Sequence, residues 1–547
     1  MDARQARRTE AFSMAEAGRW REAVEAFSQA IAAGASDYAV HFACGTALMR
    51  CGRYEEARVH LRAALEHQPR SLEALNNLAA ANLRLGDPSA TEEACRLILA
   101  AKPDDHGALT NLGLSLSHQG RVHEGLEALQ QALELAPGDR IIRDNLLLHL
   151  NYVATEGEDL ALVHNLLCAQ LPSAPPKPLS QPRPERIRIG YVSGDFRSHS
   201  VSFFMAPVLR AHDRGAFEVF CYSTTHAPDK RTESFRQLAE HFVDLSMASD
   251  AEAARRIEAD NIDILVDLGG HTSGNRLDVF ALRPAPIQAT YLGYPATTGC
   301  PFIDYRLVDA LTDPEGAEAF SSERLIRLPA PFLCYDPHPV TPAVAPLPAL
   351  AKGHITFGSF NHSSKISDET IELWSQVLEA VPASRLFLKA RAFSNPAVRG
   401  LYLQRFADRG IPEERLTFSG HTEAAQEHLA AYGQIDIALD TYPYHGTTTT
   451  CEALWMGVPV ISLIGNLHAA RVGLSLLSAA GLDSLAASSA EDYVALAIAL
   501  SADLAQLATM REHLQRRVAR SPLCDRARFA KGLEQAYRRM LEVYPLF

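Results

Sequence analysis

Four glycines, Gly18, Gly52, Gly86 and Gly120, stand 34 residues apart. Three of them open matching phrases: Gly18-Arg19-Trp20, Gly52-Arg53-Tyr54 and Gly120-Arg121-Val122. Pro69, Pro103 and Pro137 keep the same period, as do Asp37, Ser71, Asp105 and Asp139. Such a period constrains the fold more than any composition figure. A unit this short cannot bury its apolar face alone, so it must stack on the next.

The residue types within each period fit two antiparallel helices. Glycine supplies the positive φ of a turn. The Asp or Ser side chain caps the helix that follows, and proline closes the second helix. Asp87 before Pro88 reads as a cap with proline in the first helical turn. Period and pattern together are those of tetratricopeptide repeats. Four full repeats are expected over roughly 3–136, with a decaying fifth reaching about 170, so an α/α solenoid is assigned to 1–171. The groove of such a solenoid suits a polypeptide. Asn77 and Asn111, one period apart, either pair with a peptide backbone there or satisfy backbone groups between helices.

The chain then changes grammar. PSAPPKPLSQPRP cannot continue a helix, and 172–185 reads as a linker. Beyond it, short apolar runs alternate with helical periods. Strands are expected at Ile187–Val192, Phe217–Tyr222, Ile262–Leu268, Ile287–Leu292 and Tyr305–Val308. A second proline-rich break lies at 337–353. Behind it, strands are expected at Ile355–Phe360, Arg385–Leu388, Leu416–Phe418, Ile435–Leu439 and Val460–Leu463, and helices from 489 to 518 and 525 to 543. Alternating strand and helix means a parallel, doubly wound sheet. Two such α/β domains, 186–345 and 346–547, place a cleft at the carboxyl ends of their strands.

Composition narrows the function classes. The 547 residues allow three to four domains at about 150 residues each. With 47% hydrophobic residues and a net charge of −13, the chain is globular and unsuited to nucleic acid or to an anionic membrane. The nine cysteines form no C-x-x-C pair, as expected of reduced thiols in a cytoplasmic protein. The N-terminus has no apolar h-region, and no stretch approaches the ~18 apolar residues of a membrane span. No G-x-G-x-x-G follows either first strand, and no Walker A segment or H-E-x-x-H motif occurs. No metal and no cofactor are expected.

The densest chemistry lies in Asp440-Thr-Tyr-Pro-Tyr-His-Gly-Thr-Thr-Thr-Thr-Cys-Glu452. A buried strand ends at Asp440, and a helix begins near Thr447, Thr448 and Thr449. Its first N–H groups are unpaired and partly positive, so they suit an anion. Threonine hydroxyls add donors, so a diphosphate fits, and Glu452 is placed for ribose hydroxyls. The alternative is a Thr-rich helix cap without a ligand. His445 sits in the same turn. Lys365, just after His362, follows the first strand of this half and is either a phosphate-facing point charge or a solvated loop lysine. His421 and His428 flank another strand-to-helix junction, where an imidazole either contacts a base or stays on the surface. In the first half, Asp195 and His199 follow one strand and His271 follows another. Both histidines are expected to face the cleft, where neutral imidazole suits proton transfer or sugar orientation; the alternative is a structural His. The segment Leu282 to Pro295 fixes a loop at the cleft without an assignable chemistry. Together these features suggest a two-domain, GT-B type nucleotide-sugar transferase.

GYVSGDFRSH, LRPAPIQATYLGYP, FGSFNHSSKIS and LDTYPYHGTTTTCEALWMGVPV, in that order behind the repeats, resemble the O-linked N-acetylglucosamine transferase family (glycosyltransferase family 41), particularly its bacterial members. The resemblance covers nearly the whole chain. It implies inverting, metal-independent transfer of N-acetylglucosamine from UDP-GlcNAc to Ser or Thr of polypeptides. By motif, Lys365 resembles the lysine that contacts the donor diphosphate, Thr448 and Thr449 the paired threonines at the phosphates, and Glu452 the ribose-binding acid. His428 is similar to the histidine near the uracil, and His199 to the active-site histidine beside sugar and acceptor. Animal members have Gln at His362, Cys-Asn at Tyr444-His445 and Tyr at His271. GDP-fucose and UDP-glucose, used by other relatives, are therefore the alternative donors, and an inactive repeat scaffold is the third reading.

Overall fold

The computed structural model describes residues 3–179, 185–422 and 424–543. The chain forms two compact units. The first reaches Leu146 and takes in Ser394–Arg399, and the second holds the remainder.

The first unit is built from paired helices: α1 (Ala3–Glu16), α2 (Trp20–Ala32), α3 (Tyr38–Arg50), α4 (Tyr54–His67), α5 (Leu72–Leu85), α6 (Pro88–Ala101), α7 (His106–His118) and α8 (Val122–Leu135). The periodic glycines sit in the turns with φ of 71°, 73°, 80° and 81°. The periodic polar residues are caps: Asp37 accepts from the Val40 N–H, Ser71 from Ala74, Asp105 from Ala108 and Asp139 from Ile141. Asp87 caps α6, and Pro88 stands at its start. Phe27, Val40, Leu48 and Leu61 are fully or almost fully buried between the pairs. Asn77 donates to Thr46 one repeat earlier, 3.1 Å away, so its amide bonds between repeats.

The expected fifth repeat does not extend the solenoid. Helices α9 (Arg140–Leu150) and α10 (Gly157–Cys168) follow, but Leu147 and Cys168 join the apolar core of the first sheet, with Val192, Phe220 and Leu265. The first unit therefore stops at Leu146, short of the boundary expected at 171. Of the linker, 180–184 lie outside the described residues; Ala174 donates to the Ala281 carbonyl.

In the second unit, β1 (Ile187–Ser193), β2 (Phe217–Ser223), β3 (His241–Asp244), β4 (Ile264–Asp267), β5 (Ile287–Tyr291), β6 (Tyr305–Asp309) and β7 (Arg324–Leu328) form one parallel sheet. Its order is β3-β2-β1-β4-β5-β6-β7. The strands β8 (Thr356–Ser359), β9 (Arg385–Lys389), β10 (Leu416–Ser419), β11 (Ile437–Leu439), β12 (Val460–Leu463) and β13 (Ala486–Ala487) form the other, in the order β10-β9-β8-β11-β12-β13. All ten expected strands are present. β3, β7 and β13 are added at sheet edges, where short or half-exposed strands lack a continuous apolar run.

The sequence boundary at 346 does not separate the lobes cleanly. The last helix, Arg526–Val543, packs against the helix Ser200–Ala211 and β7 of the first lobe. Tyr537 meets the Tyr191 hydroxyl at 3.0 Å, and Glu534 meets His212 at 3.0 Å. The expected helix over 489–518 is two helices, Ala490–Ala502 and Leu504–Ala519, bent by 96° at Asp503, which caps the second. No single helix among the described residues is long and apolar enough to cross a membrane. The nine cysteines are free thiols.

Candidate functional site

Each sheet reverses strand order once, between β1 and β4 and between β8 and β11. Loops leaving adjacent strands at such a point diverge and leave a crevice. A cleft of about 290 Å³ opens there. Its wall from the first lobe is His199, Ser200, Val201, Phe204, Leu292 and Gly293. The second lobe contributes Asn361, His362, Lys365, Tyr444 and Thr447, Thr448 and Thr449.

The phosphate-suited corner is organised by Asp440, just past β11. Its Oδ1 accepts from Asn361 Nδ2 (3.0 Å), the Thr441 N–H (3.0 Å) and the Gly446 N–H (2.7 Å), and Oδ2 accepts from Ser462 (2.7 Å). The Asn361 carbonyl oxygen in turn accepts from Thr449 Oγ1. This buried network ties the loop after β8 to the helix Thr448–Trp455. At Gly446, a Cβ would stand 2.4 Å from Thr449 Oγ1 and 2.5 Å from Asn361 Oδ1, so only glycine fits. Thr447 makes no side-chain cap bond to the helix. Thr448 Oγ1 is buried and has no hydrogen-bond partner, although it lines the cleft. Burying an unpaired hydroxyl is costly, and an anion at the helix start would satisfy both it and the first N–H groups.

Lys365 Nζ donates to the His445 carbonyl at 2.7 Å and lies 3.8 Å from the centre of the Tyr444 ring. Burial lowers its pKa to about 8, opposed by the Asp440 carboxylate. It is therefore a cation at neutral pH with little water around it, which strengthens its attraction for a phosphate. His362, beside it, is held down to about 4 by desolvation against the cleft walls and by the Lys365 charge, so its ring is neutral.

His199 opens the helix Ser200–Ala211. Its Nδ1 lies 3.4 Å from the Val201 N–H and 3.4 Å from Asp195 Oδ2. A neutral ring accepts from Val201, and a protonated one faces the carboxylate. Burial lowers the His199 pKa, and Asp195 opposes this. Asp195 thus stands behind His199 and outside the cleft wall.

Glu452 and His428 form a second cluster next to the phosphate corner. His428 Nε2 donates to Glu452 Oε2 at 3.1 Å, and the Tyr432 hydroxyl donates to the same oxygen at 3.2 Å. Lys389 Nζ, 3.1 Å from His428 Nδ1, fixes that tautomer, because an ammonium can only donate. Phe360 and Tyr432 stack at 4.0 Å beneath this cluster.

Besides Asp195, two further expected site residues take other positions. His271 is buried, with Nε2 2.7 Å from the Thr298 carbonyl and the ring edge-on to Tyr294 and His164. It faces α10 and not the cleft, because the turn after β4 folds back over Tyr294. The His445 ring is also buried. Nδ1 accepts from the Gly473 N–H and Nε2 donates to the Leu463 carbonyl, so this residue reaches the site only through its own carbonyl. His421 lies exposed past β10. Asn361 and Tyr444 also line the cleft, without a role expected from the sequence, and so do Leu292 and Gly293 of the Leu282–Pro295 loop expected at the cleft. Leu292 holds φ of 72°, and a Cβ at Gly293 would meet the Leu268 carbonyl at 2.0 Å. The unassigned Leu-Gly-Tyr-Pro segment is thus a close-packed, strained cleft wall.

Similarity to known proteins bears on this site. Tetratricopeptide repeat models match residues 14–81 and 96–140. A rice protein named probable UDP-N-acetylglucosamine–peptide N-acetylglucosaminyltransferase SPINDLY is 40% identical over 428 residues, which are 77% of this chain and 46% of that protein. The Arabidopsis thaliana protein SEC, with the same enzyme name, is 33% identical over 66% of this chain and 38% of its own length. The chain thus spans less than half the length of these plant relatives. A solved structure of a Thermobaculum terrenum O-GlcNAc transferase mutant superposes with a TM-score of 0.88 at 35% identity, covering 93% of this chain and 98% of that one. The glycosyl transferase family 41 model matches residues 153–345 and 340–533, both lobes and the cleft between them, and the chain belongs to that family.

Proposed function

We propose that this protein transfers N-acetylglucosamine from UDP-GlcNAc to Ser or Thr hydroxyls of polypeptides. The observation that carries the reading is the phosphate corner: a cationic Lys365 and an unpaired Thr448 hydroxyl converge at the uncapped start of the helix Thr448–Trp455. The plant relatives named for this activity support the donor and the acceptor class.

In this reading the donor diphosphate lies against Thr448, Thr449 and Lys365. Glu452, oriented by His428 and Tyr432, accepts from the ribose hydroxyls. The sugar projects toward His199 and the Leu292–Gly293 wall. The acceptor oxygen forms a bond to the anomeric carbon as the bond from that carbon to the β-phosphate oxygen breaks. Attack from the side opposite the leaving group inverts the anomeric centre. The leaving diphosphate gains charge, which Lys365 and the helix N-terminus stabilise from fixed positions. Neutral His199, at the rim, orients the incoming hydroxyl, whose proton passes to the departing diphosphate or to solvent as the new bond forms. The chain itself thus supplies the positive charge that the leaving group needs, which is the metal-independent design. The repeats would present the polypeptide, and the free thiols suit the cytoplasm.

The experiment is a thermal unfolding panel with UDP, UDP-GlcNAc, UDP-glucose, GDP and GDP-fucose. A ligand at a hundredfold excess over its Kd stabilises the folded state by about 2.7 kcal/mol. Stabilisation by UDP and UDP-GlcNAc is expected. Stabilisation by GDP and GDP-fucose with none by UDP would overturn the donor.

A further inference from the structure

We propose that Tyr444 is a positioning residue, holding the Lys365 ammonium in line for the donor diphosphate, and that Tyr152 braces it. The inference rests on the reading of the cleft as a nucleotide-sugar site and adds a residue to its machinery.

A lysine carries a compact charge on a flexible four-carbon stem, so something must fix its head group. Two contacts from adjacent residues do this here. Nζ donates to the His445 carbonyl at 2.7 Å and rests 3.8 Å from the Tyr444 ring centre. One N–H is spent on the carbonyl and another faces the π cloud. The third is left for the cleft, which Lys365 lines together with Thr448 and Thr449. The ring holds the cation without offering an oxygen acceptor that would compete with phosphate. The Tyr444 phenol is pushed up by burial, so the ring stays neutral.

Tyr444 is itself held. Tyr152, just past α9, stacks on it with centres 5.4 Å apart and planes 27° apart. His149 packs edge-on against Tyr152 at 5.3 Å. The Thr441 hydroxyl, which donates to the Tyr444 carbonyl at 2.6 Å, fixes the backbone of the same turn. His445 is anchored at both ring nitrogens by backbone groups. Both surfaces that touch the ammonium are therefore rigid.

The test uses the full chain and two readouts. The first needs no ligand. The chain has seven lysines, so reductive methylation with ¹³C leaves few dimethyl-lysine signals to assign. A cation over a ring face is shifted upfield by the ring current. One such signal, assigned by its loss in Lys365→Arg, is expected in wild type and Tyr444→Phe and absent in Tyr444→Met. The second readout is transfer from UDP-GlcNAc. Tyr444→Met, apolar but without a π face, is expected to lower kcat/KM about tenfold, mainly through kcat. Tyr444→Phe restores it to within about twofold, and Tyr152→Leu shows a smaller loss with the same kcat pattern. Absence of the shifted signal in wild type, or equal kcat/KM in Tyr444→Met, overturns the inference. A wild-type protein that shows the shifted signal but binds neither UDP nor GDP overturns the cleft reading instead.

Discussion

Lys365 shows how one buried charge sets a pH limit. Its pKa lies near 8 because burial disfavours the ammonium and Asp440 only partly compensates. The free amine cannot attract a diphosphate, so UDP affinity should be flat from pH 7 to about 8 and fall about tenfold per pH unit above that. UDP titration by calorimetry measures this, and Lys365→Arg should move the falling limb above pH 10. A pH-independent affinity up to pH 10 in wild type would contradict the assignment. At this scale the sequence was legible where residue type and chemistry coincide. Lys365, His199, His362 and the threonines all line the cleft. It was not legible for His271 and His445. Both follow strand ends, but which way a ring turns depends on packing partners far away in sequence, such as Thr298 and His164 for one and Gly473 for the other. Asn361 and Tyr444 acquire their roles only from Asp440 and Lys365, partners 79 residues away in sequence that no local motif announces.

Among the elements, the solenoid helices show the strongest local coding. Asp105 accepts from the Ala108 N–H at 2.9 Å, from Asn76 at 3.2 Å and from Lys102 at 3.3 Å. Burial pushes its pKa up, but these three donors outweigh it and the net shift is down. A lowered carboxyl stabilises the fold above its unfolded pKa, and that contribution is lost as pH falls through its folded one. Asp105→Ala should therefore cost about 1 kcal/mol at neutral pH, read by urea unfolding, with a smaller difference at acidic pH where the wild-type carboxyl is protonated. No loss at neutral pH would contradict the capping role. The periodic caps and turn glycines made these helices readable because each acts within a few residues. Helix α10 lacks both, opening at Glu156 without a side-chain cap, and its Cys168 packs into the core of the first sheet. Likewise the helix Arg526–Val543 returns to the first lobe through Tyr537 and Glu534. Periodicity reports that a face is apolar and is silent on what covers it.

For the molecule as a whole, an overall charge of −13 coexists with a site that gathers cations and helix N–H groups. The negative average and the positive corner are compatible because Lys365 is held in a local, partly dehydrated environment. The two parallel sheets were predictable from βαβ alternation, without their order or their edge strands β3, β7 and β13, and each reverses at the point where the cleft forms. The central claim is that this cleft moves a sugar from UDP-GlcNAc onto a polypeptide hydroxyl. The direct measurement incubates the full chain with radiolabelled UDP-GlcNAc and a Ser/Thr-rich polypeptide, and follows label in the polypeptide by gel and mass spectrometry. Label on Ser or Thr with wild type, and at least about a hundredfold less with Lys365→Met, is the predicted result. Label that is absent with wild type, or undiminished in Lys365→Met, would contradict it.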